Sequence, residues 1–410
     1  MKRKLIMQMR NEWRSNVWMM IELFVVGLVL WMVFTVLNGL TALHQDPVGA
    51  DYTDVYVGTF GTINRYDDEH GYEKDVEMLL TKLRSNPYVE IVGTGSNALP
   101  YNFNYSGMAL RTEIDGETEV YQGNWRRMSP ETVKAIRLKG LNGETSEELA
   151  EIVRRGDLII GTTEVSYTDT DPLRWRGKQV VHAYDSTKMW TISAIVNGIR
   201  RSDYEPANGT VIVNDTWHND LIVRVKEGQG RQFLSSLKDT DLEYGNIYVS
   251  NLQSVDNIKE DAHKDIKVTY RNVIVCAIFV LVSVFLGFLG SFWYRTQQRV
   301  PELALRKVNG ATNSDLLRRF ISEGLLLLVV PSILLVPAGL IIIQIINDVT
   351  ESEGGSAFSM DFQGLPLGQW IIWAGLAMSV ASLAIMIVAG IWMPARKAMK
   401  VEPAIALKDQ

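Results

Sequence analysis

The stretch from Val273 to Trp293, VIVCAIFVLVSVFLGFLGSFW, holds twenty-one residues and no charge. As a helix it rises about 30 Å, the thickness of a bilayer's hydrocarbon core. Lipid offers no water to backbone N–H and C=O groups, so a helix is the local structure that satisfies them internally. Three more windows of similar purity lie outward from it, at residues 17–43, 325–346 and 367–393. A buried helix of a soluble protein would explain one such run but not four. The expected fold is an α-helical membrane protein with four transmembrane helices and one large domain between the first and second.

The flanks orient these spans. The start carries Lys2, Arg3, Lys4, Arg10 and Arg14 against Glu12 alone. The link after the second span carries Arg295, Arg299, Arg306, Lys307, Arg318 and Arg319, and the tail carries Arg396, Lys397, Lys400 and Lys408. The link between spans three and four has four acids and no Lys or Arg. Basic short loops stay cytoplasmic, so both termini are expected inside. The expected organisation is a cytoplasmic start (1–16), a first span (17–43), an extracytoplasmic domain (44–270) and a second span (271–294). A cytoplasmic link (295–323), a third span (324–346), an outer loop (347–366), a fourth span (367–393) and a cytoplasmic tail (394–410) follow. Trp13, Trp18, Trp293, Tyr294, Trp370 and Trp392 fall at the span ends, where indole and phenol rings favour the headgroup level. The first apolar run exceeds the 7–15 residues of a signal peptide's core and lacks an A-x-A-like site, so it reads as a retained anchor.

The outer domain holds 36 Asp plus Glu against 25 Lys plus Arg. An acidic domain of this size argues against nucleic acid and against a polybasic lipid-binding surface. Cys276, the one cysteine, lies in the second span, so packing rather than disulfides must hold the domain. Residues 73–84 (EKDVEMLLTKLR) place Val76, Leu79, Leu80 and Leu83 on one helical face, and Ser85-Asn86-Pro87 ends the helix. Further helices are expected at 130–138, 146–155 and 228–238. Strands are expected at 89–93, 157–161, 190–199, 209–213 and 221–225. Short alternating pieces predict an α+β domain of two small lobes.

Catalytic signatures are missing: there is no H-E-x-x-H, G-x-S-x-G or G-x-x-x-x-G-K-[ST]. His44, His70, His182, His218 and His263 stand singly, without metal-ligand spacing, and read as surface or structural histidines. Acid pairs such as Asp67–Asp68 and Glu147–Glu148 read as solvated faces. No enzyme, bound cofactor or metal site is expected on this chain. Glu22, five residues into the first span, is the one intramembrane charge that stands out. Pairing with Arg14 or a basic residue of a neighbouring helix is weighed against a part in transmission.

The link after the second span, RTQQRVPELALRKVNGATNSDLLRRFISEG, is more than a bare loop. Pro301 starts a helix, Glu302 suits its dipole, and Leu303, Leu305 and Val308 give it an apolar side. Asn309-Gly310 stops it, and Thr312 or Ser314 caps the next helix. On composition alone an interfacial anchor helix explains it as well.

Here the sequence resembles the permease signature of the MacB/FtsX-like superfamily of ABC transporters, roughly E-[IL]-[GA]-[IL]-R-[KR]-x-x-G-A-[TS]. Glu302, Leu303, Ala304, Leu305, Arg306, Lys307, Gly310, Ala311 and Thr312 match it in order, with a Glu at the start of the next span. The tail, MPARKAMKVEPAIAL, resembles the family's closing motif through Pro394, Ala395, Ala398, Pro403, Ala406 and Leu407. Residues 190–206 (WTISAIVNGIRRSDYEP) are more loosely similar to a strand-turn of that family's periplasmic core domain. The resemblance implies a permease of the bacterial inner membrane, dimeric with a second copy or a paralogue. A cytoplasmic ABC ATPase on a separate chain would hold ATP and Mg and engage residues 302–312. Closure of that ATPase would move the outer domains, with the tail packed beside the link. The resemblance also leaves room for a periplasmic adaptor and for export or extraction of a drug, peptide or lipoprotein. A regulatory protein of the cell-division permease type and a membrane-anchored sensor are the alternatives. The small outer domains of the former and the cytoplasmic signalling domains of the latter fit this chain less well.

Ser283, Gly287 and Ser291 in span two, and Ala377, Ala381 and Ala384 in span four, form stripes of small side chains. Such stripes suit close helix approach, between protomers or within the chain.

Overall fold

In the computed structural model, residues 13–45, 48–65, 69–101, 106–114, 116–162, 172–205, 207, 209–214, 219–298, 305–352 and 369–398 are described. They form two compact units, Ala42–Ile266 and the combination of Met1–Thr41 with Lys267–Gln410.

The second of these units is built from four long helices: α1 (Trp13–Gln45), α7 (Lys264–Gln298), α8 (Asn313–Ser352) and α9 (Gln369–Ala398). Each contains a window long and apolar enough to cross a membrane. All four outrun the apolar windows of the sequence, and α9 continues through Pro394 to Ala398. Pro331 and Pro337 lie inside α8. Prolines are tolerated in membrane helices where neighbouring groups satisfy the freed carbonyls.

Close approach inside this bundle is made by Gly375, Ser379 and Gly339. Gly375 of α9 faces α1 so tightly that a Cβ there would stand 3.0 Å from the Thr35 backbone nitrogen. One turn on, Ser379 Oγ donates to the Gly27 carbonyl at 2.8 Å. Gly339 of α8 makes room for the Trp31 ring, whose Nε1 donates to the Ile372 carbonyl at 2.9 Å. Of the stripe residues, Ala377, Ala381, Ser283 and Gly287 are exposed, Ser291 is half-buried, and Ala384 packs against the bundle core. Helix α7 is the least covered: 11% of its apolar window is buried, against 28–39% for the other three. Val275, Phe279, Val282 and Leu286 line its open face at 51–70% exposure. Glu22, half-buried on α1, turns its Oε1 to within 3.6 Å of where a Cβ on Gly287 would stand.

Among the described residues the unit Ala42–Ile266 contains eleven strands: β1 (Val55–Thr62), β2 (Val89–Ser96), β3 (Gly107–Ile114), β4 (Glu117–Met128), β5 (Leu158–Gly161), β6 (Gln179–His182), β7 (Asp185–Val196), β8 (Thr210–Val213), β9 (Asp220–Val225), β10 (Glu243–Tyr244) and β11 (Ile247–Ser254). Their order is β10-β11-β1-β9-β2-β4-β3-β6-β7-β5-β8, and β8 pairs back onto β4 in parallel. The last six strands therefore close on themselves, so among the described residues that lobe has no free edge. Its interior is filled by Met108, Leu110, Tyr121, Leu158, Ile160, Trp175, Ile192 and Val211.

The other lobe is an open antiparallel sheet covered by α2 (Glu69–Arg84) and α5 (Gly230–Ser236). Leu79, Leu80 and Leu83 of α2 and Phe233 of α5 pack on Leu221, Val223 and Val225. On the opposite face, α3 (Pro130–Ala135) and α4 (Ser146–Arg154) pack on Ile222 together with Ile159 and Ile212 of the closed lobe. β9 is thus buried on both faces, which suits its apolar run Leu221-Ile222-Val223. The two lobes share strand pairing at Gly95–Met128 and Ser96–Arg127. Fully buried arginines staple loops to this frame. Arg126 donates to the carbonyls of Asn97 (3.1 Å), Leu99 (3.3 Å) and Ile199 (3.0 Å), and burial pulls its guanidinium down to about 10.

Candidate functional site

In the link between α7 and α8, residues 305–315 form a tight corner. Residues 305–308 are helical, and the Asn309 N–H closes the turn on the Leu305 carbonyl at 3.1 Å. Gly310 then adopts φ +90°. Its N–H donates to the Lys307 carbonyl at 3.0 Å, and the Ala311 N–H reaches back to the Arg306 carbonyl at 3.0 Å. This pair of reversed bonds is a Schellman stop, and it requires a left-handed residue where glycine sits.

The next helix begins at once. Thr312 Oγ1 accepts from the Asp315 N–H at 3.2 Å, while the Asp315 carboxylate accepts from the Thr312 N–H at 3.2 Å and from its hydroxyl at 2.5 Å. These reciprocal bonds form a capping box, so Thr312 rather than Ser314 starts α8. One helix stops and another starts within two residues, both ends hydrogen-bonded, so the corner's direction is fixed by local bonding.

Burial then sorts the motif residues. Ala311 packs against the bundle core beside Leu316, Leu317 and Phe320. Leu305 and Val308, three apart and so on one face, stand 55% and 63% exposed. Arg306 and Lys307 are half-buried. Arg319 Nε lies 3.4 Å from Glu323 Oε1, the acid that opens the third apolar window. The tail motif meets the same core: Ala395 is fully buried in the cluster that Ala311 joins, and Pro394 is buried beside it. Arg396 stacks on Trp392 at 4.4 Å and Lys397 on Trp293 at 4.7 Å, which ties the end of α9 to the end of α7. Glu302, Leu303, Ala304, Pro403, Ala406 and Leu407 lie outside the described residues, and Ala398 is the last residue of α9. Among the described residues no group of three His, Cys, Asp or Glu could hold a metal ion.

The sequence placed the stop and the cap, but not the outward pairing of Leu305 with Val308. Their i, i+3 spacing was the available signal; that they face away from the core follows from how Ala311 docks.

Residues 274–403 match the family model described as FtsX-like permease C-terminal. No curated protein matches the sequence. Among solved structures, the periplasmic region of MacB from Actinobacillus actinomycetemcomitans aligns over 52% of this chain and 94% of its own, at 11% identity and a TM-score of 0.31. The extracellular domain of the noncanonic ABC-type transporter YknZ from Gram-positive bacteria aligns over 48% of this chain and all of its own, at 12% identity and a TM-score of 0.30.

Proposed function

We propose that this chain, which carries an FtsX-like permease domain over residues 274–403, is the membrane subunit of an ABC transporter driven by a separate cytoplasmic ATPase. The observation that carries the reading is the corner at residues 305–315. It presents Leu305 and Val308 on a turn whose far side is anchored in the bundle through Ala311. An exposed apolar pair on a short helix is the form that docks into a groove of a partner. Because both ends of the corner are capped, a push on that pair moves α8 rather than unwinding the link. The ATPase supplies ATP and Mg; this chain converts closure of the ATPase into movement of its helices and outer domain, for export or extraction of a drug, peptide or lipoprotein. The open apolar face of α7 supports assembly with a second copy or a paralogue in the bilayer.

The test uses the chain purified with the ATPase that accompanies it. Leu305→Asp and Val308→Asp should each abolish ATPase binding and chain-dependent ATP hydrolysis. Wild-type binding and hydrolysis in both variants would overturn the reading.

A further inference from the structure

The chain enters the outer unit at the end of α1 and leaves it through α6 (Val255–Ala262), and both points close on one side chain. Asp203, 2% exposed, lies in the loop that follows β7. Its Oδ2 stands 2.6 Å from Lys259 Nζ on α6, and 3.9 Å from both His44 Nδ1 on α1 and His263 Nε2 just after α6. Its Oδ1 accepts from the Tyr101 hydroxyl at 2.7 Å. Rings surround the carboxylate: His44 stacks on Tyr204 at 5.3 Å, and His263 meets Tyr204 and Tyr101 edge-on at 5.0 and 5.4 Å. The buried Arg200 completes the cluster, donating to the carbonyls of Leu43 (2.8 Å), Asp203 (2.8 Å) and Glu205 (2.7 Å).

Burial pushes the Asp203 carboxyl up, but hydrogen bonds from Lys259 and Tyr101 and the adjacent positive charge outweigh it and hold the group below its ordinary range. It is therefore ionised at neutral pH, inside the protein, with its principal cation on another element. A buried ion pair of this kind is costly to break, because separation leaves a charge without its partner. Residues from the end of α1, from α6 and from the loop after β7 are thus tied to one another. The helix break falls at the same place: His263 caps α6, its N–H on the Lys259 carbonyl at 3.0 Å, and α7 starts at Lys264.

We propose that the Asp203 cluster is a latch that makes the closed lobe of the outer domain follow the two segments by which the chain enters and leaves it. The inference rests on the ATP-driven reading above. Asp203 is a positioning residue: it holds the end of α1 and the α6–α7 break to loop 200–205, and that loop passes the displacement to β7.

Hydrogen exchange on the full chain in complex with its ATPase, with and without ATP plus vanadate, separates the two claims. In wild type, nucleotide should change exchange both at residues 305–316 and in the outer peptides 185–205. In Asp203→Asn and Lys259→Met the change at 305–316 should persist and ATP hydrolysis should continue, while the response of 185–205 is lost. Protection of the central strand at 221–225 without nucleotide reports that the domain is still folded. If Asp203→Asn loses that protection, Lys259→Met and Tyr101→Phe carry the test, the latter with a partial loss expected. A wild-type-like outer response in the folded variants overturns the latch. No nucleotide response at 305–316 in wild type overturns the transporter reading and the latch with it.

Discussion

Replacing Gly310 puts a number on the corner. The residue sits at φ +90°, and nothing lies within 4 Å of where a Cβ would stand. Alanine therefore meets no clash, and its cost is that of left-handed backbone alone, about 1–2 kcal/mol. At 1.4 kcal/mol per factor of ten, the ratio of closed to open turn falls about 5- to 30-fold. Asparagine enters this region more cheaply than alanine, and a β-branched residue less so. The expected order is Gly, then Asn, then Ala, then Val. Hydrogen exchange reads it at the amides of Gly310 and Ala311, which donate to Lys307 and Arg306. ATP hydrolysis by the complex should fall in the same order, since the turn that presents Leu305 is the one being opened. Alanine exchanging like glycine, or asparagine no better than alanine, would refute the Schellman stop as the source of the corner's rigidity.

Three further outcomes follow from the packing and the charges. Burial pushes the Asp220 carboxyl up to about 6, against a hydrogen bond from the Asn97 amide. Its folded value exceeds its unfolded one, so folding takes up a proton between about pH 4 and 6. The associated stability is present below that window and is lost, by about 2–3 kcal/mol, as pH rises through it. Asp220→Asn should flatten this slope and raise the outer unit's unfolding temperature at pH 7.5; identical pH profiles for variant and wild type would contradict it. In the helical bundle, Gly375→Val should drive α9 into the Thr35 backbone and cost about 1–3 kcal/mol in thermal unfolding in detergent. Ala381→Val, on the exposed face, should stay within about 0.5 kcal/mol, and the reverse ranking would sink the assigned seam. Arg126→Met leaves three buried carbonyls without their donor, at about 1 kcal/mol or more each. A destabilisation near 3 kcal/mol is expected in thermal unfolding, and none at all would show that other donors reach those carbonyls.

The features legible in the sequence were those decided locally. An uncharged run such as 273–293 must be helical in lipid whatever surrounds it, and Asn309-Gly310 stops a turn through its own backbone. The α2 helix was legible for the same reason, since Val76, Leu79, Leu80 and Leu83 mark one face by spacing alone. Strands β3 and β4 were missed although Met108, Leu110 and Ile114 alternate on the buried face of β3, and their pairing with β6 and β8 depends on residues 50 or more positions away. The small-residue stripes left open whether they serve contacts within the chain or between protomers; within the chain, Gly375 and Ser379 make the contact with α1. The histidines read singly because nothing in their spacing predicts that His44 and His263 meet at Asp203. Such a meeting depends on the closed chain path of the outer unit, which no local pattern encodes.

The central claim is that Leu305 and Val308 are the surface a cytoplasmic ATPase grips. Placing a photoactivatable phenylalanine analogue at Leu305, and as a control at Ala381, measures this most directly. Irradiation of membranes should crosslink the Leu305 position to the ATPase chain, with a yield that changes when ATP and vanadate are added, and should leave the Ala381 position uncrosslinked to it. Equal ATPase crosslinking from both positions, or none from Leu305 in membranes where the complex is assembled, would contradict the account.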